Sequence, residues 1–267
     1  MLRRYFVLMH FQYKKTICLI TSIALSLALF SGCRTGTGTQ SESSVSSSYP
    51  AETPSLPESS SDEDTLPAGN LSDWNLILLN PEPENKIDED PDVEMTSFDG
   101  QQIDARAGEA YAAMRDAAAA DGINLYLRSG FRKISLQKTY YDSHIQSYMQ
   151  QGKSEEEAIR LTRQYYTEPG HSEHHSGLAL DIITVEYQRD VYSLTEQFAE
   201  TDGYRWLIAH CAEFGFILRY PKGKTDITQI NYEPWHYRYV GKEHAQYIMK
   251  HDLTLEEYIA LLKEAGR

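Results

Sequence analysis

The sequence predicts an α+β fold, a single domain in which a small, mainly antiparallel sheet is flanked by helices. Three observations predict it. Helical and strand patterns come in segregated runs rather than in strict alternation, which disfavours a parallel βαβ sheet. The strand patterns are short and bounded by turn residues, and several helix starts carry capping side chains. No internal repeat is evident in the 267 residues, so one sizeable domain plus flanking segments is expected.

Leu76-Ile77-Leu78-Leu79 reads as a first buried strand, ended by Asn80-Pro81, and the acidic stretch Glu82 to Glu94 as a solvated loop. Asp104 offers an N-cap to a helix reaching Asp121, with Tyr111, Met114 and Ala118 on one face and Gly122 as its stop. Ile123, Leu125 and Leu127 alternate with Asn124, Tyr126 and Arg128, the period of a half-buried strand. That strand delivers Ser129-Gly130-Phe131-Arg132 at its end. A helix is expected from Lys133 to Gln150, and another from the capping box Ser154…Glu157 to Tyr166. Thr201 to Phe214 reads as a helix with Leu207, Cys211 and Phe214 inward and Gly215 closing it. Phe216 to Tyr220 and Glu233 to Val240 read as strands separated by a Pro221-Lys222-Gly223-Lys224 turn. Thr254…Glu257 caps a C-terminal helix, expected on the outside of the domain.

Residues 1–33 read as an export signal. Arg3, Arg4, Lys14 and Lys15 precede an apolar run from Ile17 to Phe30, short for a membrane span and followed by Ser31-Gly32-Cys33; an uncleaved signal anchor is the alternative reading, and both put the domain outside the cytoplasm. Small residues before a cysteine resemble a lipobox, which makes Cys33 the expected point of lipid attachment and of anchoring to a bacterial cell membrane, outside the cytoplasm. Phe30 stands where such motifs usually carry Leu. Residues 34–70, rich in Ser, Thr, Gly, Pro and acids, bury too little apolar surface to offset ordering entropy and read as a flexible tether. Residues 71–267 remain as the folded domain.

Composition excludes several classes. Formal charge is −14, and the first 33 residues carry four basic and no acidic side chains, so the remainder stands at −18. That disfavours a nucleic-acid partner and means an anionic substrate group must be met by a local cation. Of three cysteines, Cys18 leaves with the signal and Cys33 carries lipid, so Cys211 is alone and a disulfide framework is excluded.

One stretch organises the rest: Pro169-Gly170-His171-Ser172-Glu173-His174-His175-Ser176-Gly177-Leu178-Ala179-Leu180-Asp181-Ile182-Ile183. A histidine-rich turn runs into an apolar strand, and Asp181 sits inside that strand, where an ionised carboxylate needs a positive partner. His174 upstream suggests a metal ion. Imidazole and carboxylate suit zinc, whose catalytic sites use three protein ligands and keep a fourth position open. Glu233-Pro234-Trp235-His236 offers both a histidine and an acid for the third.

Ser172-x-His174-x-x-Gly177-x-Ala179-x-Asp181, with Glu233-x-Trp235-His236 downstream and Ser129-Gly130-Phe131-Arg132 upstream, resembles the zinc D-alanyl-D-alanine carboxypeptidases of the VanY type. That family also includes VanX-type dipeptidases and L,D-carboxypeptidases. The resemblance implies one Zn²⁺ per chain held by His174, Asp181 and His236, with Glu233 as general base. It implies that Arg132 meets the substrate near the scissile carbonyl, and that Gln137 and Ser172 help to hold the terminal carboxylate. The implied substrates are peptidoglycan stem peptides. Thr228-Gln229 departs from the Thr-Gly of many relatives, which bears on the loop bordering the pocket. His171 and His175 are expected to be loop residues rather than ligands, and His144, His210, His244 and His251 solvated or capping.

Removal of the C-terminal D-alanine from stem peptides is therefore the leading function. Its alternatives are L,D-carboxypeptidase action on tetrapeptide stems, or a lipoprotein that binds zinc or peptidoglycan without turnover. The binding module leaves Glu233 and Arg132 without a role. A serine-type penicillin-binding enzyme fails because no S-x-x-K, S-D-N and K-T-G set is present.

Overall fold

The computed structural model describes residues 65–267. The expected signal with Cys33 and nearly all of the expected tether lie outside the described residues. The end of that stretch belongs to the domain: Leu66 and Leu71 pack on a hydrophobic cluster, and Arg267 Nη1 donates to the Leu66 carbonyl at 3.3 Å. The folded domain thus includes residues before Leu71.

In chain order the elements are β1 (Met95–Phe98), β2 (Gln101–Asp104), α1 (Ala105–Ala120), β3 (Leu125–Ser129), α2 (Ile134–Gln150), α3 (Glu155–Thr162), β4 (Ala179–Thr184), α4 (Val185–Asp190), α5 (Asp202–His210), β5 (Phe216–Leu218), α6 (Thr225–Thr228), β6 (His236–Tyr239), α7 (Lys242–Lys250) and α8 (Leu255–Glu264). A two-stranded hairpin, β1–β2, stands beside a four-stranded antiparallel sheet of order β3-β4-β6-β5. The α+β expectation holds.

Strand alternation gives the large sheet two chemically different faces. Leu125, Leu127, Leu180, Ile182, Phe216, Leu218 and Tyr237 enter the main core with Tyr111 and Met114 of α1 and Leu207 of α5. The opposite face carries Asp181, His236 and Arg238, whose neighbours decide the chemistry.

Several local expectations change. Leu76–Leu79 forms no strand; a short 3₁₀ turn at Trp74–Leu76 leads into irregular chain. Leu76 and Leu79 are buried as expected, but Arg238 Nη2 donates to the Asn75 and Ile77 carbonyls and so takes acceptors that a partner strand would use. The helix expected to reach Tyr166 stops at Thr162, and the last strand starts at His236 because Glu233 to Trp235 form the turn before it. The C-terminal helix has its capping box, but it is not merely external: Tyr258, Ile259 and Leu262 fill a second core with Ile217, Val240 and Ile248.

Candidate metal centre

Asp181 lies on β4, in the middle of the sheet. Across one edge its antiparallel partner is His236 on β6, and across the other it is Ser129 at the end of β3, just past a register irregularity. His174 comes from the 3₁₀ turn Glu173–Ser176, which Gly177 closes in a left-handed conformation at φ 73° before the chain enters β4. The sequence folds this way because the turn is polar, the strand apolar, and glycine permits the reversal between them.

The three ligand atoms lie within 4.8 Å of one another, and all three residues are buried. His174 Nε2 is 3.4 Å from Asp181 Oδ2, and His236 Nδ1 is 3.1 Å from Asp181 Oδ1. Each separation, one to either oxygen of the Asp181 carboxylate, is close to the ligand–ligand spacing of about 3.3 Å that bonds of about 2.0–2.1 Å require around a tetrahedral ion. His174 Nδ1 donates to the Gly130 carbonyl at 2.7 Å, which fixes the tautomer and turns a bare Nε2 lone pair toward a carboxylate. Asp181 Oδ1 is buried with no aligned hydrogen bond among the described residues. The His174 lone pair facing a buried carboxylate calls for a cation between them, so these residues fit zinc.

Electrostatics agree. Burial, with Arg132 adding to it, pushes the His174 imidazole down to about 4. Burial also works against a charged His236, but Asp181 and Glu233 outweigh it and hold that imidazole up to about 9. Burial and the nearby Asp181 raise the carboxyl of Glu233 above its ordinary value, against the pull of His236 and Arg132. Its Oε2 lies 3.4 Å from His236 Nδ1, beside the triad.

Arg132 stands at the mouth of the same cavity. Its Nη1 donates to Gln137 Oε1 at 2.9 Å and its Nη2 to Ser129 Oγ at 3.2 Å, leaving other guanidinium donors for a ligand. Gln137 is buried and spends its remaining amide end on the Thr167 carbonyl at 2.7 Å, so its direct partner is Arg132. Ser172 lines the cavity close to the triad. The cavity, about 550 Å³, runs past Arg132 to His144 and Tyr148 of α2 and to Leu161, Tyr165 and Tyr166.

His171 and His175 are loop residues as expected: His171 Nδ1 meets the Asn80 carbonyl at 2.8 Å and His175 Nδ1 the Arg132 carbonyl at 2.7 Å. Two helical histidines are not simply solvated. His144 stacks on Tyr166 at 4.0 Å, and His244 is buried against the Tyr258 hydroxyl at 2.6 Å. Sequence reading passed over Glu173, Arg219 and Arg238, which are fully buried together behind the metal loop. A usable signal existed: Arg238 follows His236 at strand period two, so it had to share that ligand's face.

A triad that fits a metal, two of its residues on an antiparallel sheet, with a further carboxylate and a guanidinium at the same cavity, defines a metallopeptidase. Residues 100–242 match the VanY family of D-alanyl-D-alanine carboxypeptidases, and the chain belongs to that family. It is 38% identical to a D-alanyl-D-alanine carboxypeptidase of Enterococcus faecalis over 72% of this chain and 68% of that protein. It is also 38% identical to YodJ of Bacillus subtilis, of which it spans 60% while 65% of this chain is covered. A vancomycin-resistance D,D-pentapeptidase VanY variant, solved in complex with Zn(II), superposes with a TM-score of 0.61 at 38% identity, covering 70% of this chain and 99% of that one.

Proposed function

We propose that this chain is a zinc-dependent carboxypeptidase that removes the C-terminal D-alanine from peptidoglycan stem peptides. One observation carries it: Glu233 stands beside the His174, Asp181 and His236 triad, its Oε2 3.4 Å from His236 Nδ1, in the cavity that Arg132 also lines. Zinc held by that triad supplies a Lewis acid for the scissile carbonyl and lowers the pKa of water. Glu233 takes the proton of the attacking water and returns it to the leaving amine, a task suited to a carboxyl whose pKa is raised by burial. Arg132, held by Gln137 and Ser129, meets the substrate's terminal carboxylate or the developing oxyanion, with Ser172 beside it. The Ser31-Gly32-Cys33 motif supports the further reading that the protein is exported and held at the membrane through Cys33.

Zinc content and D-alanine release, measured on the same preparations, test the mechanism. Glu233→Ala is expected to keep zinc and lose turnover by roughly two or more orders of magnitude. His236→Ala is expected to lose the metal itself, and Arg132→Ala to keep it with impaired kcat/KM. Full activity in Glu233→Ala would sink the mechanism, and a wild type inert on both pentapeptide and tetrapeptide stems would favour a binding module. For the anchor, Cys33→Ala should leave the membrane fraction or accumulate as precursor.

A further inference from the structure

Beside the ligand-bearing rung of the sheet lies a second rung made of charge. His236 and Arg238 project from the same face of β6, opposite Asp181 and Ala179 of β4. Arg238 Nη1 donates to Glu173 Oε1 at 2.7 Å, and Glu173 is the residue immediately before His174. Arg219 brings its Nε within 3.0 Å of the same oxygen, while its backbone N–H donates to the His236 carbonyl at 3.1 Å. The cluster continues outward. Arg219 grips Glu256 of α8 with two bonds of 2.9 and 2.6 Å, and Arg238 donates to the Ile77 carbonyl at 2.6 Å.

Two arginines and two glutamates balance in charge, yet desolvating them costs several kcal/mol per ion, and apolar replacements of such clusters are often no less stable. Stability alone is therefore a weak reason for this arrangement. Its placement is a better one. The cluster ties the residue before one histidine ligand to the strand of the other, on three elements at once. We infer that Glu173, clasped by Arg219 and Arg238, is a positioning residue that fixes the separation of His174 and His236 and thereby sets the affinity of the metal site. The inference rests on the zinc reading above.

The test measures zinc dissociation constants by competition with a chromogenic chelator, together with the visible spectrum of Co²⁺-loaded protein. Glu173→Asp and Arg238→Lys keep both charges but shift the contact, since lysine lacks the rigid fork of arginine. Both are expected to weaken zinc by about tenfold or more, the usual cost of disturbing a group that orients a ligand, and to alter the cobalt bands. Glu256→Gln acts at the outer end, where the carboxylate is 13% exposed and folding is least at risk, and should weaken zinc severalfold. A purely structural role would lower Tm without moving the spectrum. Wild-type zinc affinity and an unchanged spectrum in folded Glu173→Asp or Arg238→Lys overturn the inference; if neither folds, the same result in Glu256→Gln overturns it. A wild type that binds no zinc would instead remove the reading beneath it.

Discussion

Arg132 and His174 are joined through their backbones, the Arg132 N–H donating to the His174 carbonyl at 3.0 Å. The ring of His174 returns the contact to Gly130 at 2.7 Å, and His175 adds a third bond to the Arg132 carbonyl. The cation that meets substrate and the loop that presents a metal ligand are thus one rigid piece. Preorganisation of this kind spares the reorganisation that charge development would otherwise demand.

The stitching reaches the Arg132 side chain through Gln137. Gln137→Leu removes the acceptor while keeping volume, so zinc content should not change and kcat/KM should fall about tenfold, the equivalent of about 1.4 kcal/mol. In an Arg132→Ala background the same change should cost little, because residues acting through one another are not additive. Equal losses in both backgrounds would show that Gln137 acts independently of Arg132.

Gly177 has a structural reason to be glycine. Its φ is 73°, and a Cβ there would stand 3.1 Å from the Asp104 nitrogen, whose N–H donates to the Gly177 carbonyl at 3.0 Å. Gly177→Ala should cost about 1–2 kcal/mol in urea denaturation and should weaken zinc, since the reversal lies between His174 and Asp181. Unchanged stability in that variant would contradict the left-handed turn.

Metal removal should expose the cost of burying Asp181 among imidazoles. A chelator is expected to lower Tm, and zinc at about a hundred times its dissociation constant to restore about 2.7 kcal/mol. Melting that responds to neither reagent would mean that the triad holds no metal.

What the sequence made legible was whatever a short pattern encodes. Asp181 stood out as an acid in an apolar run and Ser154 and Thr254 as caps, and each is where it was expected; Arg132, expected to end the alternating strand, lies instead past Ser129, the last residue of β3, in the link that leads to α2. The β1–β2 hairpin was legible but overlooked: Asp99-Gly100 is its two-residue turn, with φ of 51° and 84°, the backbone that Asp-Gly favours. Leu76–Leu79 was misread for a different reason, because the Ile77 carbonyl, with that of Asn75 just before the segment, is claimed by Arg238, more than 150 residues away in the chain. The pairing of Glu173 with Arg219 and Arg238 is likewise long-range, and only β6 periodicity hinted at it.

Gln229 offers the sharpest local test. It occupies a left-handed conformation, φ 60° and ψ 9°, at the end of α6, where a side chain costs about 1 kcal/mol or more relative to glycine. Its amide Nε2 donates to Glu82 of the acidic loop, which ties the two loops together. Next to it, Thr228 Oγ1 donates to the carbonyl of Ile230, a residue that lines the cavity. Gln229→Ala keeps the strained backbone and loses the tie, so it should be the least stable of the series. Gln229→Gly loses the tie but relieves the strain, and should exceed Gln229→Ala by about 1 kcal/mol. Glu82→Ala removes the tie alone, and because the pair is exposed it should cost no more than about 0.5 kcal/mol. If the tie also steadies the pocket wall, KM should rise in all three variants while zinc content stays constant. A glycine variant less stable than the alanine one would contradict the left-handed backbone at Gln229, and unchanged KM throughout would detach this loop from substrate binding.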